Sequence, residues 1–570
     1  MAATTATATD TASDQTVRIA FTTDVHGSFF PTNYTTLQPA PGSLARVKTA
    51  LDSLRQITAE GNFLLLDNGD ILQGQPTAYY YNYIDTTSNH LVSEIYNYMG
   101  YDATTIGNHD VETGHSVYDR WRAQNHMPML GANVIDTSTG KPYLQPYAVF
   151  NRGGLKIAVL GLLTPAIPSW LPEVLWSGLR FDPMDETARK WIPIIQQTEQ
   201  PDLIIGLFHS GHDETVTTGN VVENASMQVA RDVPGFSAVL LGHDHQRFNQ
   251  TVTNVDGQSV VLLNPANAAR AIGLLEITPV QGGNPLVNAK LVDVTALTPD
   301  SAFLARFAPQ QQQVRTFVER PIGEALAPLS ARDAFFGPSA FMTLLHKLQL
   351  QISGADISFA APLAFDAEIK QGPVKVADMF TLYKYENMLY TLRLTGREIK
   401  NYLEEAYDQW IQTVNANQPH IIKFAAENPG PTNNRLARPS YNFDSASGID
   451  YTVNITKPRG ERIEIQSLSN GKPFDPEASY LVAVNSYRAN GGGNLLSNGA
   501  GIDHSELPGR IVRATDKDLR YYLIKEVEAN PVITAEVDRN WRFVPADVAR
   551  KAIETDSLIL FSPNSSTEQK

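Results

Sequence analysis

The chain has 570 residues, too many for a single hydrophobic core, so two or more domains are expected. Its composition, 42% apolar and 18% charged, is that of an ordinary soluble globular protein, and a net charge of −15 argues against a broad basic face for gripping a polyanion. It contains no cysteine, which excludes disulfides, thiolate metal sites, iron–sulfur centres and cysteine nucleophiles, so any metal must be held by His, Asp or Asn.

Residues 1–15 carry neither a basic n-region nor an apolar core, so they read as a disordered lead-in rather than a signal peptide. No run is long enough to span a membrane. A first domain is expected over residues 16–297. It opens with the β-rich run VRIAFTTD (17–24), a helical segment over 43–55, the run NFLLLDNGD (62–70) and a helix near 90–99. The short strand ATTIG follows, then LKIAVLGLL, DLIIGLFH and SAVLLGH. These patterns alternate as in a layered α/β domain, while VVLLN and GLLEITPV near its end read as paired β-strands.

Residues 298–330 read as a connecting segment. The stretch 299–321 is short of large apolar residues and has a glutamine run, which suggests an exposed helix serving as a spacer or a hinge. A second domain is expected over 331–547, with a helix over 338–353, the strand ADISFAA, and LYTLRLTG leading into the helix GREIKNYLEEAYDQW. The runs DYTVNIT and YLVAVNSY and the three glycines 491–493 come next. Residues 548–570 read as a polar tail.

Five short stretches end in residue types that hold divalent metal ions. Asp24 and His26 stand in FTTDVHG, Asp70 in LLLDNGD, Asn108 and His109 in TIGNHD, His209 in GLFHSGH, and His243 and His245 in LLGHDH. Singly they are weak signals, because D-x-H is common by chance and a lone His after a strand is more often a satisfied polar residue. Together, at the ends of apolar strands, they can converge on one crevice. A dinuclear centre needs a bridging carboxylate, and Asp70 is the natural candidate. Asp24, His26 and His245 would complete one shell, and Asn108, His209 and His243 the other. Two ions ~3.5–4 Å apart suit hydrolysis at phosphorus by in-line displacement. His109 is placed to steady charge on the phosphoryl group or leaving oxygen, with Glu112 or Asp110 orienting its imidazole. Zn, Mn, Co, Fe and Mg all suit such a shell.

These blocks resemble the calcineurin-like metallophosphoesterase superfamily. Residues 16–545 resemble the bacterial 5′-nucleotidase family within it, in particular the 2′,3′-cyclic-nucleotide 2′-phosphodiesterase/3′-nucleotidase branch. The branch rests on LYKYEN (382–387), LTGREIKNYLE (394–404), YNFDSASGIDYTVNITKP (441–458), NSYRANGGGN (485–494) and DRNWRF (538–543). The resemblance implies a four-layer α/β/β/α metallophosphoesterase domain, two packed β-sheets flanked by helices, plus an α/β C-terminal nucleotide-binding domain. It implies that Tyr385 and Tyr487 sandwich a base while Asn387 hydrogen-bonds its ring. From the residues alone, these tyrosines would read as surface packing.

Two departures from the 5′ branch favour the cyclic/3′ branch: AAPLAFD (360–366) replaces a glycine-and-arginine motif, and Gly493 replaces an aspartate. Glu112 stands where the family usually has aspartate, which lengthens the carboxylate's reach by one methylene. The implied protein is a periplasmic or secreted hydrolase that uses two divalent metal ions. It would open 2′,3′-cyclic nucleotides and remove the 3′-phosphate, with no extended nucleic acid and no obligate protein partner. Metals in one domain and a base clamp in the other imply closure or rotation about the connecting segment. The rival readings are a 5′-nucleotidase or nucleotide-sugar hydrolase, a non-catalytic nucleoside- or partner-binding surface protein, and a sulfur-ester hydrolase on the same scaffold.

Overall fold

The computed structural model describes residues 15–218 and 221–562. Nearly all of the expected lead-in and the last residues of the expected tail lie outside that range. The chain divides into two compact units, Met1–Phe317 and Val318–Lys570. Among the described residues, no helix is long and apolar enough to cross a membrane.

The first unit holds two six-stranded sheets. One runs in the order Leu286–Asp293, Ala271–Thr278, Val17–Thr22, Phe63–Asp67, Ala103–Thr105, Met129–Leu130. The other runs Arg247–Thr253, Ser259–Pro265, Phe236–Leu241, Leu203–His209, Leu155–Leu163, Tyr147–Arg152. Alternate residues of each strand meet between the sheets: Ile19, Phe21, Leu64 and Leu66 share one core with Ile157, Val159, Ile205, Leu207 and Leu240. The intervening residues of the second sheet, among them Leu160, Leu162, Ile204 and Val239, cluster with Ile192 and Ile195 of the helix Met184–Glu199 and Val229 of Ser226–Asp232. On the first sheet, Ala20 and Leu65 are buried on the opposite face, and the helices Leu44–Gln56 and Leu91–Met99 each bury an apolar stripe. The layers are therefore α/β/β/α. Burial on both faces is why these strands read as almost unbroken apolar runs, each large side chain contributing ~1.5–3 kcal/mol.

Parallel pairing fixes where the polar strand ends fall. Val17–Thr22, Phe63–Asp67 and Ala103–Thr105 are mutually parallel, as are Leu155–Leu163, Leu203–His209 and Phe236–Leu241. Their C-terminal ends therefore open on one edge of each sheet, where ligands bind in open α/β sheets.

Three sequence expectations are corrected. VVLLN and GLLEITPV both form strands but join different sheets, and the turn between them uses left-handed backbone at Ala266, Ala268 and Ala269. The glutamine-rich stretch is not a free spacer. It forms the helices Ser301–Arg306 and Ala308–Glu319, and Phe303 and Phe307 are fully buried. Their rings meet Phe30 and Tyr98, and Gln313 accepts a hydrogen bond from the Tyr81 hydroxyl at 2.7 Å. Within the supposed polar tail, Ala546–Phe561 is a helix that buries Ala549, Ala552, Ile559 and Leu560. Its Asp556 carboxylate accepts the backbone N–H groups of Ile421 and Ile422, each at 2.8 Å, a pairing that mixed apolar and charged residues do not advertise.

The second unit centres on a five-stranded sheet in the order Ser445–Ser447, Ile357–Ala360, Ser479–Asn485, Met388–Thr395, Ile511–Asp518. The helix Gly396–Trp410 follows Met388–Thr395 without a loop because Thr395 and Glu398 form a reciprocal cap. Its apolar face, Ile399, Tyr402, Leu403 and Ala406, enters the same core as Phe359, Leu392 and Val482.

Candidate metal centre

At each strand end the chain turns sharply to present a side chain. Asp24, His26, Asp70, His243 and His245 all have positive φ, between 50° and 75°, where residues with a Cβ are rarely found. Gly107 is fixed by close approach, since a Cβ there would sit 2.1 Å from Asp70 Oδ1.

The predicted ligands form two groups whose donor atoms lie within 4.8 Å of one another: Asp24, His26 and His245, and Asp70, His209 and His243. In the first, His26 Nε2 faces His245 Nε2 at 2.9 Å, and Asp24 Oδ1 lies 3.3 Å from the latter. In the second, Asn108 Oδ1 lies 2.8 Å from His243 Nδ1 and 3.1 Å from His209 Nε2. His209 Nε2 is also 3.1 Å from Asp70 Oδ2. Despite that proximity, Asp70 Oδ2 is a buried carboxylate oxygen with no well-directed hydrogen bond.

The outer nitrogens of these rings are spoken for. His26 Nδ1–H donates to the Gln73 carbonyl at 3.2 Å and His209 Nδ1–H to the Asn68 carbonyl at 2.6 Å. His243 Nε2–H donates to Glu223 Oε1 at 2.9 Å, and the Asn267 amide lies 3.1 Å from His245 Nδ1. In the neutral tautomers these bonds select, the inner nitrogens of His26, His209 and His243 carry lone pairs. The group of Asp70, His209 and His243 is then lined by acceptors facing acceptors, an arrangement only cations relieve, whereas in the other the Asn267 N–H makes His245 Nδ1 an acceptor and a single Nε2–H is left to face Asp24 and the His26 lone pair. The residues fit a pair of metal ions.

Without metals, protons meet part of that demand. Burial lowers His209, but Asp70 and then Asp24 outweigh it and raise the imidazole to about 10. Burial, and then His245, drives His26 down to about 3. Asp24 is held at about 2 despite burial, by its hydrogen bond to His245 and by His209.

His109 stands against this centre, its ring edge-on to His26 at 5.4 Å, with Nδ1 2.6 Å from Glu112 Oε2. Burial opposes its charged form, yet Asp70 and Glu112 raise it to about 9. Asp110 does not orient His109, contrary to the alternative drawn from sequence. Its carboxylate is consumed by the backbone N–H groups of Gly107, Asp70, Ile71 and Leu72, at 2.8–2.9 Å. Sequence reasoning missed Glu223, Asn267 and Trp170, whose ring lies 5.5 Å from that of His243. None of the three sits in a strand-end motif.

In the second unit Tyr385 and Tyr487 are half-buried and share a neighbour that sequence reasoning did not single out. Tyr441 meets Tyr385 at 6.2 Å and 89°, and Tyr487 at 6.1 Å and 87°. Buried Arg488 ties this cluster together, donating to the Tyr441 carbonyl at 2.8 Å, pairing with Asp444 and lying 5.5 Å from the Tyr487 ring. Gly493 is required beside it: φ is +71°, and a Cβ would approach Arg488 Nη1 to 2.3 Å. Asn387 is buried and its amide nitrogen donates to the Tyr383 hydroxyl at 3.3 Å, which leaves its second N–H and its oxygen for the ring contact assigned to it.

Residues 17–247 match the family model described as calcineurin-like phosphoesterase, and residues 318–498 that of the 5′-nucleotidase C-terminal domain. The chain is 28% identical to a 2′,3′-cyclic-nucleotide 2′-phosphodiesterase/3′-nucleotidase of Haemophilus influenzae, covering 94% of this chain and 88% of the relative. It is 26% identical to a protein of the same description from Yersinia enterocolitica, covering 94% and 89%. A crystal structure of a putative 5′-nucleotidase from Staphylococcus aureus shares the fold, with a TM-score of 0.76, 21% identity and coverage of 93% and 99%. The calcineurin-like metallophosphoesterases depend on two metal ions. With both domain types present in this order, the chain is a calcineurin-like phosphoesterase domain followed by a 5′-nucleotidase C-terminal domain, and it is a phosphoric ester hydrolase.

Proposed function

We propose that the protein opens 2′,3′-cyclic nucleotides to 3′-nucleotides and then releases the 3′-phosphate. The observation that carries this reading is the convergence of two groups of potential metal ligands in a chain that is similar, over 94% of its length, to enzymes of that description. Asp24, His26 and His245 hold one metal ion, and Asn108, His209 and His243 the other, with Asp70 shared between them. When bound, the two ions polarise phosphoryl oxygens and acidify water, the chemistry of dinuclear phosphoesterases. His109, held by Glu112, donates a hydrogen bond to the phosphoryl group or leaving oxygen. Tyr385 and Tyr487 stack on the base, which tolerates different bases because each has a π-face. A periplasmic or secreted location fits a role in recovering phosphate from RNA breakdown.

The test is phosphate release from 2′,3′-cyclic AMP, 3′-AMP and 5′-AMP before and after chelation. Activity disappears with EDTA and returns when one divalent metal is restored, and the cyclic and 3′ substrates turn over faster than 5′-AMP. Asp70→Ala lowers kcat by about three orders of magnitude or more, the several kcal/mol that metal ions supply. Faster turnover of 5′-AMP would shift the assignment to a 5′-nucleotidase. Nucleoside binding without any phosphate release would make the protein a binding module.

A further inference from the structure

The four ligand imidazoles are not oriented alike. His26 and His209 lean on backbone carbonyls and His245 on a neutral amide, at 3.2, 2.6 and 3.1 Å. His243 alone has a carboxylate behind it, Glu223 Oε1 at 2.9 Å from Nε2, and it alone turns Nδ1 inward toward Asn108. Glu223 is itself anchored: its second oxygen accepts from the Thr218 hydroxyl, and its carbonyl accepts from Thr164 and Ser210 hydroxyls at 2.9 and 2.8 Å. Ser210 directly follows ligand His209, so Glu223 contacts one ligand and braces the neighbour of another. Trp170, with its ring inclined 30° to that of His243, borders the same imidazole.

We propose that Glu223 is a positioning residue that sets the metal affinity of one of the two positions, the one held by Asn108, His209 and His243. A carboxylate hydrogen-bonded to the outer nitrogen fixes the ring's tautomer and makes its inner nitrogen more basic, and loss of such a partner costs ~10–100-fold in metal affinity. The position held by Asp24, His26 and His245 has only neutral outer partners and is untouched by Glu223. This inference rests on the two-metal reading above.

The experiment is a Zn²⁺ titration of chelator-stripped full-length protein by calorimetry, with the metal retained after dialysis as a second readout. The wild type takes up two equivalents. Glu223→Gln, nearly isosteric, weakens one equivalent by ~10–100-fold and leaves the other unchanged. Thr218→Val, which frees the carboxylate to swing, weakens the same equivalent to a smaller extent, and Asn267→Ala acts on the other one. The thermal midpoint of each stripped variant is measured first, and Thr218→Val decides the matter if Glu223→Gln does not fold. Two equivalents bound with wild-type affinity in Glu223→Gln, or in Thr218→Val when it decides, would overturn the proposal. A wild type that binds fewer than two equivalents would instead bring down the two-metal reading, and this inference with it.

Discussion

Strain and charge are concentrated on the same few residues. Left-handed φ at Asp24, His26, Asp70, His243 and His245 costs about 1–3 kcal/mol each, and such cost persists only where the surroundings over-determine the geometry. Here they do, because every ligand ring whose outer nitrogen is satisfied has one remaining face, and it points at the centre. His109 differs, in that its outer nitrogen is met by Glu112 at 2.6 Å and the pair is only partly buried. Glu112→Gln keeps a hydrogen-bond acceptor there but removes the charge that favours the imidazolium. Its kcat on 3′-AMP is expected to fall about 10–100-fold with KM little changed, a part of the ~10²–10⁴-fold that a positioned proton donor contributes. Steady-state kinetics on the metal-loaded variant checks this; a rise in KM at constant kcat would mean that the pair binds substrate rather than steadying the transition state.

Among the elements, the parallel strands were the most legible part of the sequence, because burial on both faces leaves little but apolar residues until the polar turn. The ligands sit at those turns, so the strand ends and the ligand positions were read together. What stayed hidden has no such boundary. Glu223 lies in VVENAS, on a loop between ligand strands, and nothing local separates it from a solvated acid. Asp110 was misread because adjacency to His109 in sequence suggested adjacency in space, whereas the turn Asn108–Val111 aims its carboxylate back at the Asp70 loop. There it joins two elements by accepting four backbone N–H groups. The helix Ala546–Phe561 was missed because its buried face is interrupted by Asp556, whose role depends on Ile421 and Ile422 more than a hundred residues away. Asp110→Ala would leave those four donors without their shared acceptor. The metal-free protein should lose about 2–4 kcal/mol, since each unsatisfied buried donor costs ~1–3 kcal/mol and water recovers part. Urea denaturation measures it, and a loss below about 1 kcal/mol would mean the loops are held together by other contacts.

For the whole molecule, each unit contains a neutral histidine remote from the ligand groups. His90 Nδ1 accepts the Val92 backbone N–H at 3.2 Å, so its Nε2–H must donate to Asn82 Oδ1 at 3.0 Å, and only the neutral ring can do both. In the second unit, Ser358 donates to Gln349 Oε1 at 2.9 Å and therefore accepts from His346 Nδ1–H, also at 2.9 Å. His346 Nε2 is then the acceptor for the Ser445 hydroxyl at 3.2 Å. Burial lowers both rings to about 3, with Arg120 adding to the effect at His90. The unfolded chain takes up these protons near pH 6.5 whereas the folded chain does not, so the unfolded state binds more protons throughout the interval. The stability each contributes is therefore fully present above about pH 6.5 and is lost as the pH falls from there toward about 3, reaching a few kcal/mol per residue. His346→Gln should lower stability at pH 7.5 but flatten its decline between pH 6.5 and 4.5, and His90→Asn should do the same for the first unit. Thermal or urea midpoints across that range, on protein stripped of metal so that the ligand histidines do not dominate, give the comparison. A decline in both variants as steep as in the wild type would place the acid sensitivity on the carboxylates instead.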